Sequence, residues 1–189
     1  QVEHPVTEAV TGTDLVELQL RVASGGSVPE QDQIHLKGWA MEARLYAEDP
    51  ATGFLPSIGP LDYLDLPDTD LANGVRTDSG VRQGGEVSLH YDPMIAKLIT
   101  WGETRDDAID QLIEMTDGVE IWPVRTNAAF LGNALGEDDF ADAVLDTGYI
   151  ELMPHILKDA ASYAQIKLIL KASIVSPSAN IGHVKCSTS

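Results

Sequence analysis

Residues 38–50 read GWAMEARLYAEDP. Met41, Ala43 and Leu45 alternate with Glu42, Arg44 and Tyr46, the two-residue period of a strand with one face on a core and the other toward water. Pro50 and the following ATGFLPSIG close the strand in a loop. Downstream, residues 74–102, GVRTDSGVRQGGEVSLHYDPMIAKLITWG, carry short apolar and β-branched runs broken by Gly-rich turns at DSG and QGG. That pattern predicts several more short strands.

Helical patterns flank the strands. In TGTDLVELQLRVASGG (11–26) Thr11 and Asp14 fit a capping box, Leu15, Leu18 and Val22 share a face, and Gly25 is a stop signal. In TRDDAIDQLIEMTDG (104–118) Thr104 and Asp107 repeat the capping spacing, and Ala108, Ile109, Leu112 and Ile113 form the apolar stripe. RTNAAFLGNALG (125–136) reads as a third helix capped by Thr126, and DDFADAVL (138–145) as a short fourth. Helix, then strands, then helices is an α+β order; a doubly wound parallel sheet would alternate strictly. The apolar faces put Met41, Ala43, Leu45, Ile95, Leu98, Ile109, Leu112, Ile113, Phe130 and Leu131 in the core.

The 189 residues suffice for a buried core, and 43% are hydrophobic, as in globular rather than disordered chains. No apolar run approaches the length of a bilayer, so a soluble protein is expected. The single cysteine, Cys186, excludes an internal disulfide framework and a multi-cysteine zinc site. Twelve basic residues stand against 30 acidic ones, a net charge of −18, which argues against nucleic acid and anionic membranes as partners. The charge is uneven. Residues 158–189 hold Lys158, Lys167, Lys171 and Lys185 against Asp159 alone, so this tail reads as a separate segment.

Few residues stand out chemically on pattern alone. Arg44 shares a strand face with Glu42 and Tyr46. A surface Glu–Arg pair at i, i+2 is the better reading of that spacing; a guanidinium held rigidly toward an anion is the sharper one. Glu3 precedes Pro5 in an extended segment, where a glutamate is usually solvated, and His4 reads as a structural hydrogen-bonder. There is no Gly-rich phosphate loop and no His/Asp/Glu spacing that suggests a metal.

Four blocks in order, QVEHPVTEAVTGTDLVELQLRVASG, GWAMEARLYAEDP with GFLPSIG, VRTDSGVRQGGEVSLHYDPMIAKLITWGETRDDA, and RTNAAFL, resemble the C-terminal third of biotin carboxylase. The likeness is to the α-subunits of biotin-dependent acyl-CoA carboxylases of the acetyl-, propionyl- or methylcrotonyl-CoA type, and it spans residues 1–151 or so. It implies a mainly antiparallel C-terminal domain with flanking helices over 25–157, preceded at 1–24 by the end of an ATP-grasp domain, with 158–189 as an atypical tail. It also implies that the segment matching QVEHPVTE is an active-site strand and turn. There Gln1 and Val2 contact bicarbonate, Val2 through its backbone N–H, and Glu3 is the general base. Arg44 would stabilise the oxygen of biotin's ureido group.

The same resemblance implies biotin on a carrier domain, and ATP and Mg bound by residues upstream of Gln1. The chain then reads as a fragment, expected to be inactive alone. Its implied partners are the biotinyl carrier domain, the carboxyltransferase subunit and further copies of itself. The implied location is the cytoplasm of a bacterium or the mitochondrial matrix of a eukaryote. Two alternatives stay open: a scaffold for subunit contacts, with GFLPSIG as a contact loop, and the matching region of a pyruvate or urea carboxylase.

Overall fold

A computed structural model describes residues 3–146, 148–152 and 155–156. Gln1, Val2 and the tail at 158–189 lie outside the described residues. In chain order the elements are helices α1 (Pro5–Thr11) and α2 (Leu15–Ala23), and strands β1 (Trp39–Tyr46), β2 (Glu48–Asp49), β3 (Leu55–Pro56), β4 (Gly59–Asp65), β5 (Val75–Ser79), β6 (Glu86–Val87) and β7 (Met94–Gly102). Helix α3 (Arg105–Gly118), strand β8 (Glu120–Pro123) and helices α4 (Ala128–Leu135), α5 (Asp138–Ala141) and α6 (Tyr149–Leu152) follow. Every strand pair among them is antiparallel, giving the α+β fold.

The main sheet runs β1-β7-β5, with β7 in the middle. A central strand is covered on both faces, so β7 is a nearly continuous apolar run: Ile95, Ala96, Leu98, Ile99 and Thr100 are all buried. Helix α3 packs on β7 and β1. Its start is the predicted capping box. The Thr104 hydroxyl accepts from Asp107 N–H at 3.1 Å, and the Asp107 carboxylate accepts from Thr104 N–H at 3.0 Å. The Thr100 hydroxyl donates to the Ala108 carbonyl at 2.7 Å, so this buried polar side chain is satisfied.

The core joins Ala43 and Leu45 of β1, Ile95 and Leu98 of β7, and Ile109 and Leu112 of α3. Met41, Ile113 and Leu131 are half-buried at its edges, and Phe130 is half-buried against a second cluster of Ala134, Tyr149 and Ile156. All ten predicted core positions therefore face inward. A second sheet, β6-β4-β8, closes one side of the core with Leu61 and Val87.

Several local readings need correction. Residues 5–11 form a helix rather than a strand and turn, with Pro5 at its first position, where a missing N–H costs nothing. The next helix starts at Leu15. Asp14 is itself the cap, accepting from Glu17 N–H at 2.8 Å, and Thr11 closes the preceding helix. Gly25 ends α2 with φ +92°, as predicted. The stripe on α2 is not buried, however: Val22 is exposed, as are Val16 and Leu20, and α2 contains no buried residue. The fourth helix is shorter than its pattern, covering only Asp138–Ala141. Strands β4 and β8 had no clear sequence signal.

Candidate active site

Arg44 projects from the solvent-facing side of β1, opposite buried Ala43 and Leu45. Its Nε donates to Glu42 Oε1 at 3.1 Å, and a side-chain hydrogen bond with Tyr46 adds to that hold. Lys97 lies directly across the ladder from Arg44 and reaches the second Glu42 oxygen at 3.6 Å. Glu42 is thus gripped by two cations, with its side chain only 15% exposed, while the Arg44 side chain stays 60% exposed. Hydrogen bonds, first to Glu42 and then to Tyr46, raise the Arg44 pKa further above its ordinary value, so the group is a permanent cation. The surface Glu–Arg pair favoured by the spacing therefore exists, and it leaves the guanidinium accessible.

Arg44 lines a cleft of about 690 Å³. The start of α1, residues 4–7, forms one wall, and Leu131, Leu135 and Phe140 supply apolar surface. One exposed cation over an apolar hollow suits a ligand with an apolar body and one electron-rich oxygen.

Glu3 lies elsewhere. It is exposed and lines a second depression of about 380 Å³ with Glu8, Arg76 and Asp78. Glu3 and Arg44 therefore flank the start of α1 without sharing a cavity. Glu8 anchors this segment: one carboxylate oxygen accepts from Leu15 N–H at 3.0 Å and the other from Arg76 at 2.8 Å. Arg76 also donates to both Asp78 oxygens, at 2.8 and 2.6 Å. The two anions, Asp78 foremost, raise the Arg76 pKa against the opposing effect of burial. Among the described residues, no group of three or more His, Cys, Asp or Glu side chains is placed to hold a metal ion.

Asn127, at the N-terminus of α4, is a site residue that sequence reasoning missed. It is 6% exposed and its side chain makes no cap bond. Instead it bonds the backbone of β1 on either side of Leu45. The available signal was two good capping residues side by side, Thr126 and Asn127, since a helix needs only one.

Residues 42–152 match the family described as Biotin carboxylase C-terminal domain. The chain belongs to this family. Residues 1–31 also match the ATP binding domain of the carbamoyl-phosphate synthase L chain. It is 46% identical over 180 residues to the mitochondrial methylcrotonoyl-CoA carboxylase subunit alpha of Rattus norvegicus, a match covering 90% of this chain and 25% of that protein. The mitochondrial propionyl-CoA carboxylase alpha chain of Caenorhabditis briggsae is 46% identical over 153 residues, covering 79% and 20%.

Among solved structures, the biotin carboxylase domain dimer of Hydrogenobacter thermophilus 2-oxoglutarate carboxylase, in complex with MgADP, ADP and bicarbonate, superposes with a TM-score of 0.78 at 38% identity. It covers 83% of this chain and 34% of that one. Urea carboxylase of Kluyveromyces lactis gives a TM-score of 0.70 at 40% identity, covering 78% and 13%. The chain spans about a quarter of the length of the curated relatives it matches. No helix among the described residues is long and apolar enough to cross a membrane.

Proposed function

We propose that this chain supplies the Arg44 side of a biotin carboxylase site in an acyl-CoA carboxylase α-subunit, which carboxylates biotin with bicarbonate and ATP. The observation that carries this reading is the accessible Arg44 guanidinium, held by Glu42 and Tyr46 at the rim of an apolar cleft. Biotin supplies a weakly acidic ureido nitrogen that becomes the nucleophile. As that proton leaves, negative charge collects on the ureido oxygen, which Arg44 faces. A fixed donor at such an oxygen is worth about 3 kcal/mol of barrier. A strand is a good mount because it fixes the side-chain direction.

Glu3 is assigned as the general base toward bicarbonate, with Gln1 and Val2 as its binding contacts. A positioned base contributes roughly 10²–10⁴-fold. Because Glu3 and Arg44 line separate depressions, the two would act from opposite sides of the α1 start. The described residues do not fit a magnesium–nucleotide site, and no step involving Mg or ATP phosphates is assigned to them. In this reading residues 1–24 end an ATP-grasp domain, 25–157 form the C-terminal domain, and 158–189 are an atypical tail. Biotin on its carrier domain and a carboxyltransferase are the partners, in the mitochondrial matrix or a bacterial cytoplasm. A role in subunit contacts as well is favoured by exposed Leu55 and Ile58 in the GFLPSIG loop.

The test is phosphate release by the complete subunit, with bicarbonate, in the presence and absence of free biotin. Arg44→Ala should cut the biotin-dependent rate about 10²-fold and the biotin-independent rate much less. Equal losses, or none, would sink the assignment.

A further inference from the structure

The open edge of β1 carries a side chain that behaves like a strand. β1 is an outer strand of its sheet, so the N–H and C=O groups facing away from β7 have no ladder partner. Three of these groups go to Asn127. Tyr46 N–H donates to Asn127 Oδ1 at 2.8 Å, Asn127 Nδ2 donates to the Arg44 carbonyl at 3.1 Å, and Asn127 N–H donates to the Tyr46 carbonyl at 3.2 Å. One amide side chain and its own backbone thus stand in for a missing neighbour strand.

The placement is specific. The ladder slips between Leu45 and Tyr46, whose partners are Ala96 and Met94, so β1 is weakest in register just where Arg44 is carried. Asn127 spans that slip. It also fixes both Arg44 and Tyr46, and Tyr46 is one of the two groups that hold the Arg44 guanidinium. Its chemistry is hard to replace. The Tyr46 N–H needs an acceptor and the Arg44 carbonyl a donor, and a primary amide offers both in one plane. Aspartate, of the same shape, would turn a carboxylate oxygen toward the Arg44 carbonyl. The burial of Asn127 makes an unmatched group there costly. Asn127 is the N-cap of α4 but gives it no side-chain cap bond; Thr126, one residue before it, accepts from Ala128 N–H at 3.4 Å.

We propose that Asn127 is a positioning residue for biotin carboxylation, its amide setting the backbone from which Arg44 reaches the biotin oxygen. This rests on the reading of Arg44 given above. A displacement of about 1 Å at a reacting group can cost 10²-fold. The test uses the complete subunit with free biotin. Asn127→Asp should lower kcat/KM for biotin by about tenfold or more, and by several times more than it lowers biotin-independent ATP cleavage. Asn127→Ser, which keeps an acceptor for Tyr46 N–H but loses the amide donor to Arg44, should show the same skew with a smaller loss. Added to Arg44→Ala, Asn127→Asp should slow biotin turnover no further, because it acts through Arg44.

Equal losses in both activities for both variants would overturn the proposal in favour of a purely structural role. An additive loss on top of Arg44→Ala would overturn it too. If Arg44→Ala cuts biotin turnover and Asn127→Asp leaves it unchanged, only this inference falls. If Arg44→Ala is silent, the reading of Arg44 falls and takes Asn127 with it.

Discussion

Arg44 and Lys97 face each other across the β1–β7 ladder and hold the same carboxylate, that of Glu42. The two cations are not equivalent. The Lys97 side chain is 17% exposed and the Arg44 side chain 60%. Lys97 thus balances much of the Glu42 charge from the inside, and Glu42 steers the Arg44 guanidinium without cancelling it.

Glu42→Gln tests that division of labour. The variant keeps the shape and one acceptor oxygen but removes the charge. In the complete subunit the KM for free biotin should rise about threefold to tenfold, since a loosened donor loses alignment before it loses charge. Steady-state kinetics over a biotin series would check this. An unchanged KM would mean that Arg44 finds its orientation without Glu42.

The capping box of α3 should be measurable on the chain itself. Thr104→Ala removes the hydroxyl that accepts from Asp107 N–H and should cost about 1 kcal/mol in urea unfolding. The Thr104 hydrogen bonds hold the Asp107 pKa below its ordinary 3.8. A depressed acid stabilises the fold above its unfolded pKa and loses that contribution as pH falls through the folded one. The deficit of Thr104→Ala should therefore be full at neutral pH and shrink below pH 3.8.

Glu48 carries the opposite sign. Burial, and secondarily Asp92, push its carboxyl above the ordinary 4.5. A raised acid favours the fold when protonated, so its charged form is a liability at neutral pH. Glu48→Gln should raise the melting temperature at pH 7, by no more than about 2 °C. The gain should fade as pH drops through the raised value toward 4.5. A gain that persisted at lower pH would have another origin.

Gly74 has φ +78°, and a Cβ there would run into the Trp101 carbonyl oxygen. The same glycine's carbonyl accepts from Trp101 N–H at 2.7 Å, at the entry to β5. Gly74→Ala should cost at least about 2 kcal/mol, combining left-handed strain with a backbone clash. Chemical denaturation of the chain decides it, and a loss below half that value would show that the hairpin end can shift freely.

What the sequence revealed followed how local each signal was. The α3 capping box and the β1 alternation are written in adjacent residues, and both were legible, down to the face that carries Arg44. Helix α1 was obscured because Val6, Thr7 and Thr11 are β-branched, so its helicity depends on Pro5 at its start and on Glu8 reaching Leu15 and Arg76. The β4–β8 pairing joins Leu64 to Ile121, a contact that no local pattern encodes. The role proposed for Arg44 rests on resemblance, since the spacing equally describes a surface ion pair. Asn127 was hidden because an asparagine before a helix reads as a cap, and its diversion to a strand far away in sequence is a tertiary choice.

The order of strands in the main sheet has a consequence for how the chain is made. β1 emerges from the ribosome with Trp39, but its partner in register there is Gly102, at the far end of β7. At roughly 5–20 residues per second, synthesis leaves β1 without its mate for seconds. During that interval Ala43 and Leu45 have no core to enter, and the apolar side of the nascent strand is open to chaperones or to a neighbouring chain. Arg44 is therefore mounted late, and premature release before Gly102 would yield a polypeptide with the right residues and nothing to aim them.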